Sequence, residues 1–256
     1  CAPAALLYAK LSGARACLHI QDFEIDALFG LYGKRKGLLS RTLEIFARMI
    51  EKFLLTKFDY VSTISDAMLQ RLSEKGVIKE KQIFFPNWSD LSAFRNAKKD
   101  VAFLEHLGIK GENKVVLYSG NIGDKQGLEN VLYAAQRMRL QTDVTFLIVG
   151  TGASVRSLKE LASKLGLKNV CFSELVPLEQ LPNLLASADC HLVIQRIGAA
   201  DAVLPSKLTN ILAIGGNSVI TTEEHTNLGK LITDFPGIAV SVMPEDLNAL
   251  VEGIEI

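Results

Sequence analysis

Short apolar, β-branched runs alternate along the chain with longer segments whose apolar positions recur at helical spacing, which is the pattern of a parallel α/β sheet. In the second half this predicts strands over Lys114–Ser119, Val144–Val149, Asn169–Phe172, Cys190–Ile194, Ser218–Thr221 and Ile238–Ser241. Helices are predicted over Leu128–Arg139, Ser154–Leu165, Leu178–Leu185, Lys207–Ile214 and Glu245–Val251. Six strands with their crossovers make a complete doubly wound domain. The first part carries fewer units: strands over Ala16–Gln21, Asp59–Ile64 and Gln82–Phe85, and helices over Ser40–Thr56 and Asp66–Lys75. Between the two parts, Asn87–Asp100 follows Pro86, is polar and has the composition of a linker.

Composition narrows the function classes. Lys and Arg total 28 against 28 Asp and Glu, and 48% of the 256 residues are hydrophobic, so the chain folds and is no polyelectrolyte. Zero formal net charge removes the bulk attraction on which nonspecific nucleic-acid binding depends. Cys1, Cys17, Cys171 and Cys190 show no CxxC or Cys/His ligand spacing, which argues for buried thiols in a reducing compartment rather than a zinc site or disulfide scaffold. No apolar run approaches the roughly 18 residues of a spanning helix. No repeat or low-complexity segment is present. Opening on Cys1-Ala2-Pro3 inside an apolar stretch and stopping at Gly253-Ile254-Glu255-Ile256, the sequence reads as an internal fragment.

Chemistry concentrates in the loops that follow predicted strands. Ser119-Gly120-Asn121-Ile122-Gly123-Asp124-Lys125-Gln126-Gly127 joins a strand to a helix and reads either as a cradle whose N–H groups face an anion or as an ordinary glycine-rich turn. It has neither Walker nor GxGxxG spacing. Gly150-Thr151-Gly152 follows the next strand without the third glycine of a dinucleotide fingerprint. In an open α/β sheet both loops lie at the strand ends that bind ligands. After Ile194, Arg196 and Lys207 bracket a segment that leads through Asp201, Pro205 and Ser206 into a helix, whose first turn favours a phosphate. Gly215-Gly216 ends that helix.

In the first part, His19, Gln21 and Asp22 stand at the end of a strand, suited to orienting a hydroxyl or serving a structural role. Basic residues Lys34, Arg35, Lys36, Arg41, Arg48, Lys52 and Lys57 punctuate an apolar helix, either a solvated face or a docking surface for anionic lipid. No nucleophile elbow, Cys/His pair or metal-spaced carboxylate cluster occurs, so no metal site is expected.

The ordered set Phe84-Phe85-Pro86-Asn87-Trp88-Ser89-Asp90, Val116–Gly123 with Gln126-Gly127, Phe146–Gly152 and Pro205-Ser206-Lys207-Leu208 with Ala213-Ile214-Gly215 resembles the donor half of retaining GT-B glycosyltransferases of family 4 type. The branch it resembles most includes the colanic acid and exopolysaccharide enzymes. His19–Asp22 and Val61–Met68 are similar to the closing strands of the acceptor lobe. The resemblance implies a GT-B α/β architecture with residues 1–95 as a partial acceptor-binding lobe and 96–256 as the nucleotide-sugar donor lobe.

It also implies transfer of a sugar, with retention, from a nucleotide diphosphate sugar to a glycan or lipid-linked acceptor. The donor is a substrate, and no cofactor is expected. The implied place is the cytoplasm, including the inner face of the membrane through Lys34–Lys57. The family's Glu-x7-Glu pair is replaced by Ala202 and Asn210, and its loop Arg and Lys by Asn121 and Gln126. Donor contacts are then expected from Gly120, Asn121, Gly123, Lys125, Gly150, Gly152, Asp201, Pro205, Ser206 and Asn210, with Lys207 and Arg196 neutralising the diphosphate and His19 and Asp22 orienting the sugar or acceptor. The missing acidic pair keeps open a noncatalytic nucleotide-sugar binder or scaffold, and a GT-B sugar-nucleotide epimerase.

Overall fold

The computed structural model describes residues 2–31, 38–88, 90–197 and 206–256. The candidates Asp201 and Pro205, the Ala202 position, and the basic residues Lys34, Arg35 and Lys36 lie outside them. Contacts divide the chain into two units that meet in sequence at Asn87 and Trp88.

The first unit holds three parallel strands, β1 (Cys17–Ile20), β2 (Tyr60–Thr63) and β3 (Gln82–Phe84), in the order β1-β2-β3. With them go α1 (Ala2–Ser12), α2 (Glu24–Leu31), α3 (Leu38–Lys57) and α4 (Asp66–Glu74). Ser65 caps α4, its side chain accepting from Met68 N, so Met68 and Leu72 turn inward onto Phe58, Val61 and Ile64. Cys17, expected to be buried, is exposed because β1 is an outer strand of this sheet. Cys171 and Cys190 are half-buried free thiols.

The second unit is a six-stranded parallel sheet: β4 (Lys114–Ser119), β5 (Val144–Val149), β6 (Val170–Ser173), β7 (Cys190–Val193), β8 (Ser218–Thr221) and β9 (Val240–Val242). Its order is β6-β5-β4-β7-β8-β9, so the chain winds outward one way from β4 and then the other way from β7. The helix α5 (Val101–His106) leads into β4, the five crossovers run through α6 (Glu129–Arg137), α7 (Val155–Lys164), α8 (Leu181–Ala186), α9 (Ser206–Ala213) and α10 (Asn227–Asp234), and α11 (Leu247–Glu255) follows β9.

Strand alternation sorts the core onto two faces. Val116, Tyr118, Phe146 and Ile148 pack against α6, α7 and α11. Val115, Leu117, Leu147 and Val149 pack with Leu104 of α5, Leu184 and Leu185 of α8, and Phe94. Phe94 lies in the stretch with linker composition, where Leu91–Phe94 forms a 3-10 turn, and it brings that stretch into the second unit's core. Burial on both faces explains the uninterrupted apolar run of β5, buried at all six positions.

Candidate functional site

The winding reverses between β4 and β7, and in such sheets the crevice beyond the carboxyl ends of the two strands at the reversal is the place for a ligand. Two of the loops singled out by sequence leave these strands. The first runs from Gly120 to Gly127. The other begins at Gln195 and leads to α9.

The first glycine loop is bound edge to edge to the second. Gly120 N–H donates to Val149 O at 2.9 Å, Ile122 N–H donates to Thr151 O at 2.8 Å, and Ser154 N–H donates back to Ile122 O at 3.1 Å. A Cβ on Gly150 would lie 1.9 Å from Gly120 O, and one on Gly152 2.1 Å from Ile122 O. These two glycines therefore let backbone approach backbone. Gly123 N–H donates to Gln126 Oε1 at 3.1 Å, and the Tyr118 hydroxyl donates to Asn121 O at 2.6 Å. The expectation that the N–H groups of Gly120–Gly123 are open to an anion is corrected here: those of Gly120, Ile122 and Gly123 are already engaged within the protein.

Lys207, the second residue of α9, reaches back over this loop. Its Nζ sits 4.0 Å from the centre of the Tyr118 ring, and it would meet a Cβ on Gly120 at 3.1 Å. Burial pushes its pKa down to about 8, and no carboxylate pairs with it among the described residues. The backbone of Ser206 opens α9, and Asn210 lies one turn further on, half-buried. A cation set at a helix N-terminus, over a ring and beside a glycine, with no acid to balance it among the described residues, is suited to receive an anion.

Arg196 differs. Its Nε donates to Asp124 O at 2.7 Å, and its guanidinium pairs with Glu129 and, at 3.1 Å, with Glu245. Its expected role as a free charge for a diphosphate is therefore corrected, because two carboxylates already neutralise it. Lys125 and Asn121 are exposed on the same loop. Sequence reasoning missed Tyr118, Glu129 and Glu245. The alternation of β4 placed Tyr118 on a face, but no spacing linked it to Lys207, 89 positions away (207 − 118).

Beyond the carboxyl ends of β5 and β6 lies a cavity of about 290 Å³, lined by Ile122, Gly150–Gly152, Val155, Lys159, Phe172, Ser173 and Glu174. Lys159 Nζ stands 5.8 Å from the centre of the Phe172 ring.

In the first unit β1 ends at Ile20. His19 Nδ1 meets Ser62 Oγ at 2.9 Å, its Nε2 meets Gln21 Nε2 at 3.3 Å, and its ring stands edge-on to Phe85. Asp22 is exposed just past the strand. His19 and Gln21 thus share a side, as alternation predicts.

Residues 99–256 match the model of the family described as glycosyl transferases group 1, and the chain belongs to that family. It is 52% identical over 256 residues to WcaI of Escherichia coli (strain K12), whose name assigns it to colanic acid biosynthesis as a glycosyl transferase; the match covers 99% of this chain and 62% of that protein. It is 27% identical to WbjE of Pseudomonas aeruginosa, named as a glycosyltransferase, over 81% of this chain and 52% of that one. The chain thus spans between half and about three fifths of the length of these curated relatives.

Among solved structures, Anabaena HepE in complex with UDP and glucose matches with TM-score 0.74 at 16% identity, over 99% of this chain and 64% of that one. WaaG, a glycosyltransferase involved in lipopolysaccharide biosynthesis, matches with TM-score 0.69 at 16% identity, over 97% and 70%. The expected α/β fold of parallel sheets, shared with GT-B glycosyltransferases, is thereby established.

Proposed function

We propose that the second unit binds a nucleotide diphosphate sugar and that the protein transfers this sugar, with retention, to a glycan or lipid-linked acceptor in polysaccharide biosynthesis. The observation that carries the reading is Lys207: an ammonium without a carboxylate partner among the described residues, poised over Gly120 where the winding reverses. As the glycosidic bond breaks, negative charge grows on the leaving diphosphate, and a preorganised cation at a helix N-terminus stabilises it. Ser206 and Asn210 on α9 and Asn121, Gly123 and Lys125 on the first glycine loop complete the proposed donor surface, with Gly120, Gly150 and Gly152 shaping it; Asp201 and Pro205, candidates from sequence, lie outside the described residues. The cavity beside Gly150–Gly152 extends that surface toward the nucleoside. His19 and Asp22 are the first unit's candidates for holding a sugar or acceptor hydroxyl. The charge is handled by the chain's own groups, and the reading calls for no cofactor.

HepE bound to UDP and glucose and the colanic acid assignment of WcaI support the donor class and the acceptor class respectively. Calorimetric titration of the chain with UDP, GDP and dTDP, followed by assays with the matching sugar nucleotides, tests it. Binding of one nucleotide and transfer to a glycan acceptor is expected. Binding without turnover favours a scaffold, interconversion of donors without acceptor favours an epimerase, and binding of none rejects the donor site.

Among the described residues no helix is long and apolar enough to cross a membrane. The membrane surface enters the proposal through α3. There the basic residues are less free than the sequence suggests, since Arg48 is paired with Asp26 and Glu44, and Lys52 lies against Gly76. What α3 turns outward is apolar: Leu43, Phe46, Met49, Ile50 and Phe53, all strongly exposed. Neither of its acids is free, because Glu44 holds Arg48 and Glu51 holds Lys75. Arg41 and Lys57, together with Lys34, Arg35 and Lys36 earlier in sequence, suit an anionic headgroup layer over an apolar interior.

The chain is expected to cosediment with phosphatidylglycerol-containing vesicles more than with phosphatidylcholine ones. A Phe46→Ser, Phe53→Ser double variant is expected to lose most of that binding. Equal pelleting on both vesicles removes the electrostatic part, and full binding by the variant removes the apolar part.

A further inference from the structure

Arg196 joins three segments at the ligand-binding edge of the second unit. Its backbone N–H donates to Lys125 O at 3.0 Å and its Nε to Asp124 O, so the turn after β4 is fixed to the exit of β7. The guanidinium then takes Glu129, the first residue of α6, and Glu245, in the turn between β9 and α11. Gly127 closes over its stem: with φ of +63°, a Cβ there would lie 3.0 Å from Arg196 Cγ. Glu245 is the residue other than glycine that adopts a positive φ among the described residues, 63°, a conformation disfavoured for any side chain with a Cβ. Strained non-glycine backbone persists only where surrounding contacts over-determine it. Here two contacts hold it: Asp246 N–H donates to Met243 O at 3.3 Å across the turn, and the Glu245 carboxylate pairs with Arg196.

We propose that Arg196 is a positioning residue, a clamp between Glu129 and Glu245 that presets the first glycine loop for the donor diphosphate, with Glu245 held in its left-handed conformation in order to reach it. The consequence for donor binding rests on the function proposed above; the clamp itself does not. In a clamp of this kind the cation acts through the loop beneath Lys207 and does not touch the phosphate. Preorganisation of this sort lowers the free energy needed to order the loop at the moment of binding.

The test is hydrogen–deuterium exchange on the ligand-free chain, together with melting temperature and nucleotide affinity, for Arg196→Met, Arg196→Lys, Glu245→Gln and Glu245→Gly. Arg196→Met is expected to accelerate exchange at least tenfold in residues 123–127 and 243–246 together, with partial recovery in Arg196→Lys. Should Arg196→Met fail to fold, the Glu245 pair decides. Glycine relieves the backbone and glutamine does not, so Glu245→Gly is expected to melt at or above the temperature of Glu245→Gln, while both bind nucleotide about five- to tenfold more weakly than the parent. A purely structural contact would move affinity and melting temperature in parallel. Unchanged exchange over 123–127 in Arg196→Met, or parent-like affinity in both Glu245 variants, overturns the clamp. A parent chain that binds none of UDP, GDP and dTDP sinks the donor-site reading instead, and leaves the exchange data to judge the clamp.

Discussion

Lys207→Met is expected to weaken nucleotide-diphosphate binding roughly 10- to 100-fold, the scale of one charge-assisted contact of about 1.5–3 kcal/mol, while leaving the fold as stable as before or more so. Methionine keeps an apolar stem over Tyr118 and removes an ammonium that burial disfavours and that no acid balances among the described residues. In a transfer assay turnover is expected to fall by about 100-fold, because the contact strengthens as the leaving diphosphate gains charge. Since burial lowers the lysine to about 8 from its ordinary value of 10.5, the folded state holds fewer protons than the unfolded one between those values. Stability from this group therefore rises with pH across that window, while affinity for a diphosphate falls as pH passes about 8. Lys207→Arg, charged at every accessible pH, is expected to flatten the affinity profile. Calorimetry from pH 6.5 to 9.5 and thermal melts over the same range measure both. Affinity unchanged in Lys207→Met removes the lysine from the site.

The inner strands of the second unit were legible because they are buried on both faces. Lys114–Ser119, Val144–Val149 and Ser218–Thr221 are short unbroken runs, and the structure places all three at the bounds their pattern predicts. Helices whose sequences contain breakers were not. The helix α10 was absent from the pattern because Gly229 sits within it, yet Gly229 is there for space: a Cβ would lie 2.3 Å from Glu223 O, and its N–H donates to the Thr226 cap. The segment expected as one helix over Leu178–Leu185 is a 3-10 turn followed by α8, whose start is set by Pro182. Both α1 and α2 were missed, the first being an apolar, alanine-rich run without polar spacing.

At the site, residue types were legible and their partnerships were not. Arg196 and Lys207 look equivalent in sequence, two cations flanking one loop. Only the fold shows that Glu129 and Glu245, from distant parts of the chain, neutralise the first and leave the second available. The same holds for glycine, whose small size signals a close approach without saying what approaches.

Gly150→Ala is expected to cost about 3–5 kcal/mol and to lower the melting temperature by roughly 10 °C, far beyond an ordinary glycine substitution. Three effects add in the same direction. The new Cβ meets Gly120 O at 1.9 Å, which neither backbone can avoid without moving a strand end. Displacement stretches the Gly120-to-Val149 and Ile122-to-Thr151 bonds, each about 1 kcal/mol when its groups are left buried and unpaired. The φ of +158° is itself uncomfortable for alanine. Gly152→Ala is expected to behave alike, because its Cβ meets Ile122 O at 2.1 Å and Ile122 C at 2.6 Å. Gly166→Ala is the internal control: φ is +64° but nothing lies within 4 Å of the added carbon, so only backbone strain of about 1 kcal/mol is expected. If the chain tolerates Gly150→Ala by shifting the first glycine loop, stability recovers in part but Gly120 moves from beneath Lys207, and nucleotide affinity falls. Melting curves and calorimetry on the three variants separate these outcomes. A Gly150→Ala protein no less stable than Gly166→Ala, with parent-like affinity, would show that the two loops do not touch.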